Sequence, residues 1–263
     1  EGTKPGLGRL NCQFRNRCRR GCPFGAYFSS NSSTLPAAEA TGNMTLRTNS
    51  IVYEVIYDEL NKRATGVKII DSESNLTYEF KAKIIFMCAS TVPTTSILMQ
   101  SKSNRFPNGL GNDSGELGHN IMDHHFQIGA DATYDGFEDK YYTGRRPNGI
   151  YIPRFQNIGG KTKNTNFLRG YGYQGGASRT DWTKYVKEAS YGEKLKQAVI
   201  RPGEWTMGLN GFGEVLPYHD NKIFLDYNKT DKWGLPTVTF DAKLRENELN
   251  MRKDMQLQAM EML

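Results

Sequence analysis

Long apolar runs are missing from this 263-residue chain, and none approaches the ~20 residues that a membrane-spanning helix needs. Only 37% of the residues are hydrophobic, and the mean hydropathy is −0.63. These values indicate a soluble protein with a core that is thin for its length, as expected if partner segments are absent. No signal peptide is visible. The compartment therefore stays unknown, and a cytoplasmic and a periplasmic location are both open.

Cysteine is scarce, with four residues in the whole chain. Cys12, Cys18 and Cys22 are spaced C-x5-C-x3-C with no histidine nearby, and Cys88 lies alone in an apolar run. Metal sites usually need a fourth ligand and tighter C-x2-C steps. We therefore favour a local disulfide or buried thiols over a zinc or iron–sulfur centre, and we expect Cys88 to be a small core residue.

Familiar catalytic motifs are absent as well. The sequence has no G-x-S-x-G, no H-E-x-x-H and no Walker loop, which disfavours a serine hydrolase, a metalloprotease or an NTPase. It also lacks the G-x-G-x-x-G turn and following acidic residue that grip a dinucleotide, because Gly6-Leu7-Gly8 and Gly109-Leu110-Gly111 have no third glycine and no strand before them.

Positive charge is in modest excess, with a net charge of +6 and a pI near 9.0. No groove-reading motif accompanies it, so we do not expect nucleic-acid binding. A basic patch near an anionic cofactor or a docking face for a redox partner fits better. The basic residues cluster at Arg15, Arg17, Arg19, Arg20, Arg145 and Arg146.

The most informative stretch that is present covers residues 83–125. An apolar run, KIIFMC at 83–88, stops at Ala89 and Ser90, and a helix-like segment containing Pro93 continues through Met99. A buried parallel strand followed at once by a helix start has this form. In open α/β sheets ligands bind beyond the carboxyl ends of strands, where free backbone N–H groups and small residues admit a flat or anionic group.

Three blocks in order carry a family resemblance: residues 8–38, residues 83–125 with the run GELGHNIMDHH, and residues 212–241. Together they resemble the glucose–methanol–choline (GMC) family of FAD-dependent oxidoreductases, in its sugar and polyol dehydrogenase branch. The resemblance implies oxidation of a CH–OH group with hydride transfer to the flavin. It implies Val52 against the adenine, and Ala89 and Ser90 along the cofactor.

Compared with members of that family, the chain is expected to be an internal fragment of a larger enzyme. It would begin after the G-x-G-x-x-G opening and end before the segment that carries the catalytic histidine, which would lie beyond Leu263. We therefore expect no catalytic residue here, no stable FAD binding and no turnover by the fragment alone. The electron acceptor stays open between oxygen, a quinone and a haem protein, with a dehydrogenase favoured over an oxidase.

The pattern of elements predicts a mixed α/β fold in two parts. Residues 1–125 would be a partial Rossmann-like FAD-binding domain, and residues 126–263 a partial substrate domain built on an antiparallel sheet. Alternating runs predict strands at residues 45–57, 64–70, 77–80, 83–87, 126–134, 150–155, 167–173, 205–216 and 222–227. Helices are predicted at residues 33–40, 191–200 and 247–263.

Candidate substrate contacts lie in the second part. Glu214 lies in a predicted apolar strand, where we expect it to point inward. An inward carboxylate needs a partner, either a salt bridge to a nearby arginine, which we favour, or a sugar hydroxyl. Trp205, with Trp182 and Trp233, could form platforms for sugar rings, although most such tryptophans are core.

Asp123, His124 and His125 could suggest a metal or a base, but neighbouring histidines on a strand point to opposite faces. By resemblance this segment is a structural corner. We expect His119 to be a turn or surface residue and His219 to be exposed. Two alternative functions remain open: a carbohydrate-binding module without catalysis, and an iron–sulfur electron-transfer unit.

Overall fold

The computed structural model describes residues 8–14, 18, 21–137, 139, 149–179, 191–200 and 203–263. The chain forms two compact units that each draw on separate stretches of sequence. The first unit comprises Glu1–Thr45, His124–Glu214 and Glu246–Leu263, and the second comprises Leu46–Asp123 and Val215–Arg245. The expected division near residue 125 concerns cofactor and substrate domains, and it stays a prediction.

The second unit is built on a three-stranded antiparallel sheet in the order β1-β2-β3. β1 spans Ser50–Asp58, β2 spans Arg63–Asp71 and β3 spans Thr77–Lys81. Alternating apolar residues form these strands, and the polar turns between them allow consecutive hairpins. The predicted meander is therefore confirmed, with a bulge in β1 where the register shifts between Val52 and Glu54.

Helix α2, Thr91–Gln100, packs against β1 in the second unit and confirms the predicted helix start. The buried Ser101 hydroxyl ties the two together: it accepts the amide of Val55 at 2.8 Å and donates to the carbonyl of Ile97 at 2.6 Å. A hairpin of β8, Lys222–Thr230, and β9, Pro236–Asp241, completes this unit. The sequence pattern had not predicted β9.

Two predictions for the second unit are wrong. Residues 83–88 form no strand, and they are not buried: Ile84 is 71% exposed and Phe86 is 81% exposed. Cys88 is exposed too, so it is not a core residue. A parallel strand needs neighbours on its edges and helices over its faces. The described part of the chain supplies neither for this segment, and its apolar side chains therefore stay uncovered.

The first unit contains a four-stranded sheet in the order β4-β7-β6-β5, with every neighbouring pair antiparallel. This confirms an antiparallel sheet after residue 125. β6 is shifted from its predicted place, because residues 167–170 precede the strand as an irregular segment. The strands are β4 Ile128–Tyr134, β5 Ile150–Ile152, β6 Tyr171–Arg179 and β7 Trp205–Gly213.

In the described residues of this unit, three α-helices and one 3-10 turn accompany the sheet: α1 Thr34–Glu39, the turn Gly160–Thr162, α3 Glu193–Ile200 and α4 Glu246–Met262. All three helices were predicted at nearly these positions. The core of the unit forms where α4 covers one face of the sheet. Met251 and Met255 of α4 are fully buried there against Tyr171, Tyr173 and Leu209.

Hydrogen bonds link α4 to β6 beneath that core. The Tyr173 hydroxyl donates to the carbonyl of Met255 at 2.6 Å, and the Tyr171 hydroxyl donates to the Asp254 carboxylate at 2.5 Å. Burial raises the pKa of both phenols, that of Tyr173 to about 12. Because each hydroxyl has an acceptor, two large aromatic rings can be buried here without an unsatisfied polar group. No helix in the described part of the chain is long and apolar enough to cross a membrane.

Candidate functional site

The predicted cofactor contacts all lie in the second unit. Val52 is half-buried in β1, an edge strand of the three-stranded sheet, directly before the bulge at Tyr53. Ala89 and Ser90 are exposed immediately before α2. A bulge on an edge strand and a helix start both leave backbone groups unpaired, so both positions can receive a ligand. Their role as FAD contacts stays a prediction.

Ser90 has an unusual backbone. Its φ is 69° and its ψ is 168°, a region that is open to glycine and strained for residues with a Cβ. The Ser90 carbonyl nevertheless accepts the amide of Thr94 at 3.0 Å, which begins the helical bonding of α2. This conformation turns the chain sharply from the exposed segment 83–88 into the helix. The sequence shows that Ser90 has a small side chain, but it could not show that the backbone there is strained.

The predicted substrate residue Glu214 lies just beyond the end of β7 and is about half exposed. Its carboxylate is 3.7 Å from Arg154 Nη1 and 3.8 Å from Arg169 Nε. The salt-bridge interpretation is therefore confirmed. The expected inward position in a strand is wrong, because the strand ends at Gly213 and the side chain turns to the surface.

Trp205, the other substrate candidate, begins β7 and is half-buried. It borders a pocket of about 330 Å³ together with Tyr134, Phe137, Ala177, Thr206 and Met207. The indole Nε1 of Trp205 donates to the carbonyl of Phe137 at 3.0 Å. Trp233 lies in the second unit under the Lys232 ammonium, 4.3 Å from its ring centre. Trp182 lies outside the described residues.

His124 and His125 separate as expected for neighbours on an extended segment. His124 is exposed, whereas His125 is only 1% exposed, and neither ring nitrogen of His125 has a hydrogen-bond partner. Burial lowers the pKa of His125, and the positive charge of Arg252 lowers it further, against smaller opposing effects of Glu248 and the Glu214 backbone. The pattern of the sequence had not indicated a buried neutral imidazole.

The other two histidines meet in the second unit. The rings of His119 and His219 stack with centres 4.1 Å apart, and His219 Nε2 lies 3.4 Å from Glu116. His219 is exposed, as predicted. Among the described residues no group of three or more His, Cys, Asp or Glu side chains could hold a metal ion.

The cysteines also differ from expectation. All four are free thiols and none is buried, so neither the local disulfide nor the buried thiols expected for Cys12, Cys18 and Cys22 are found. Backbone groups of Tyr27 and Phe24 lower the pKa of the Cys22 thiol. The six clustered arginines at positions 15, 17, 19, 20, 145 and 146 lie outside the described residues, so their role as a basic patch stays a prediction.

Comparison with known proteins concerns the segment that contains the predicted cofactor contacts. Residues 10–126 match the model of the GMC oxidoreductase family. This part of the chain is similar to GMC oxidoreductases. This confirms the resemblance inferred from the three sequence blocks, and the segment includes Val52, Ala89 and Ser90.

Two dehydrogenases are similar to more of the chain than this segment. One is the 2-methyl-1,2-propanediol dehydrogenase of Mycolicibacterium austroafricanum, 28% identical over 87% of this chain and 41% of its own length. The other is the fructose dehydrogenase large subunit of Gluconobacter japonicus, 25% identical over 91% of this chain and 43% of its own length. The chain therefore spans less than half of each relative.

Proposed function

We propose that this chain is part of an FAD-dependent dehydrogenase that oxidises a CH–OH group of an alcohol or a sugar. The match of residues 10–126 to GMC oxidoreductases is the single observation that carries the proposal. The names of the two dehydrogenase relatives support an alcohol or sugar substrate and leave the choice between the two open. The electron acceptor is an open choice between oxygen, a quinone and a haem protein.

The surface of the second unit suits a flat cofactor. Ala89 and Ser90 are small and exposed at the start of α2, where the first N–H groups of a helix have no partner within it. The nearby apolar side chains of Ile84 and Phe86 are also uncovered. Contact with a ring system and with neighbouring polypeptide would remove this apolar surface from water.

In the proposed reaction the residues of this chain bind and orient. Val52 would hold the adenine end, while Ala89 and Ser90 would let the cofactor approach the backbone at the helix start. Bound FAD supplies the hydride acceptor, and a protein chain around it positions the substrate carbon and excludes water. Glu214 and Trp205 remain the proposed substrate contacts of the first unit. A histidine beyond Leu263 is the proposed base.

A matched pair of alanine substitutions tests the cofactor surface in the whole protein. Ala89 and Ala40 are both exposed, so a leucine at either position should not disturb a core. We expect Ala89→Leu to weaken FAD binding at least tenfold, because the added side chain would occupy the space of the ring system. Ala40→Leu should bind FAD as the unchanged protein does.

The measurement is a titration with FAD, followed by the visible absorbance that stays with the protein on gel filtration. Dye-linked oxidation of a panel of polyols and sugars would then follow activity. Equal FAD affinity in both variants would contradict the placement of Ala89 at the cofactor. A whole protein that binds no FAD at all would refute the proposed function.

A further inference from the structure

The pocket beside Trp205 lies on the face of the sheet that α4 covers elsewhere. Met207 stands directly opposite Ala132 and Ala177, and Trp205 stands opposite Tyr134. Side chains opposite each other on neighbouring strands share a face. Leu209, two residues further along β7, is buried in the core against α4. The pocket therefore continues the core face along β7, from Leu209 towards Trp205.

One hydrogen bond marks the edge of the sheet area that α4 covers. The Tyr134 hydroxyl donates to the carbonyl of Leu263, directly after the last turn of α4, at 2.8 Å. Met207 packs partly against the core and also lines the pocket. Ala177 lies directly opposite Met207, and Trp205 lies two residues further from Leu209 along β7 on the same face. The pocket thus adjoins the core, and Met207 belongs to both.

The polar groups of the pocket walls are already engaged within the protein. Besides the Tyr134 bond, Trp205 Nε1 donates to Phe137 and the Thr206 hydroxyl donates to Ser178 at 3.2 Å, each to a backbone carbonyl. The described residues of the walls therefore offer rings, methyl groups and a thioether, but no free O–H or N–H hydrogen to a ligand. The oxygens of a sugar would lose the hydrogen bonds that they accept from water and would find no free donor among these side chains to replace them, which is costly.

From this arrangement we propose that the pocket binds the hydrocarbon part of a small molecule, a ring or branched alkyl group, and disfavours a fully hydroxylated sugar ring. Its volume of about 330 Å³ lies at the lower end for small-molecule pockets. The inference revises the expectation of Trp205 as a sugar platform. Binding to the pocket needs no flavin. The inference rests on the proposed function only where it identifies the bound small molecule as an alcohol substrate.

Two probes with the same carbon ring separate the possibilities. Cyclohexanol carries one hydroxyl, whereas myo-inositol carries a hydroxyl on every carbon. We expect the 263-residue chain, without FAD, to bind cyclohexanol with a Kd on the order of a millimolar, as a ligand of this size allows. Inositol should bind at least about tenfold more weakly. Saturation-transfer NMR from protein to ligand, with tryptophan fluorescence, would measure both affinities.

Ala177→Leu should fill the pocket and weaken cyclohexanol binding at least fivefold, while Ala40→Leu leaves it unchanged. Circular dichroism would establish that each variant is folded. If Ala177→Leu does not fold, Trp205→Phe takes its place, with Trp233→Phe as the control in the other unit. Inositol binding as tight as cyclohexanol, no cyclohexanol binding, or equal binding by pocket and control variants would overturn the inference. None of these results would affect the FAD titration.

Discussion

His125 and Gly213 are in direct contact. The amide of His125 donates to the carbonyl of Gly213 at 3.2 Å, and a Cβ on Gly213 would lie 2.9 Å from Cδ2 of the His125 ring. The same Cβ would lie 2.7 Å from the sulfur of Met251 and 2.8 Å from Cε of Met255. A glycine at the end of β7 therefore makes room for the side chains that join α4 to the sheet.

Replacing this glycine should destabilise the first unit. We expect Gly213→Ala to lower the free energy of unfolding by about 1–3 kcal/mol, because the surrounding core would have to shift to admit a methyl group. Urea unfolding would measure the change. Gly160→Ala is the matched control, since a Cβ there meets nothing within 4 Å. Equal stability of the two variants would show that the side chains around Gly213 can move to admit a methyl group without a loss of stability.

Acid should destabilise the same region through His125. Its folded pKa is lowered, so the unfolded state takes up a proton from about pH 6.5 downwards while the folded state resists. This contribution to stability is present above pH 6.5 and is lost as the pH falls towards the folded pKa. The loss is at most about 1.4 kcal/mol for each pH unit.

His125→Leu should remove this part of the pH dependence, whereas replacing the exposed neighbour in His124→Leu should leave it in place. Urea unfolding between pH 7.5 and 5 would compare the slopes of the two variants with that of the unchanged chain. An unaltered slope in His125→Leu would argue against a buried neutral imidazole. The charged groups that act on the ring, Glu248 and Arg252, are kept in both variants.

The strained backbone at Ser90 predicts a stabilising substitution. Ser90→Gly should raise the free energy of unfolding by about 1 kcal/mol, because glycine adopts φ 69° and ψ 168° without a steric cost. Ser90→Ala keeps a Cβ and should give no such gain. Thermal unfolding of the pair isolates the backbone effect from loss of the hydroxyl. A gain in both variants would point to the hydroxyl instead.

Glu214 should matter little for stability. Its ion pairs with Arg154 and Arg169 are long, at 3.7 and 3.8 Å, and the three side chains are well exposed. We expect Glu214→Gln to change the free energy of unfolding by less than about 0.5 kcal/mol. If Glu214 also contacts substrate, the same variant of the whole protein would show a raised KM. A stability loss well above this estimate would mean that the carboxylate has a structural role.

Local sequence determined most of the secondary structure. The alternation in residues 45–70 and the polar turns between apolar runs predicted the meander of the second unit, and the apolar spacing after residue 246 predicted α4. Three sequence blocks also carried the resemblance to GMC oxidoreductases, which the match of residues 10–126 confirmed. These features depend on neighbouring residues, so the sequence alone contains the necessary information.

Tertiary structure decided what depends on distant residues. KIIFMC at 83–88 reads as a buried strand, but a strand is buried only when other segments cover it, and here Ile84 and Phe86 remain exposed. The ion pairs of Glu214, the unpartnered ring of His125 and the pocket beside Trp205 likewise arise from residues far apart in the chain. Burial and hydrogen bonding are properties of those long-range contacts, whereas helix and strand periodicity is a property of the local sequence.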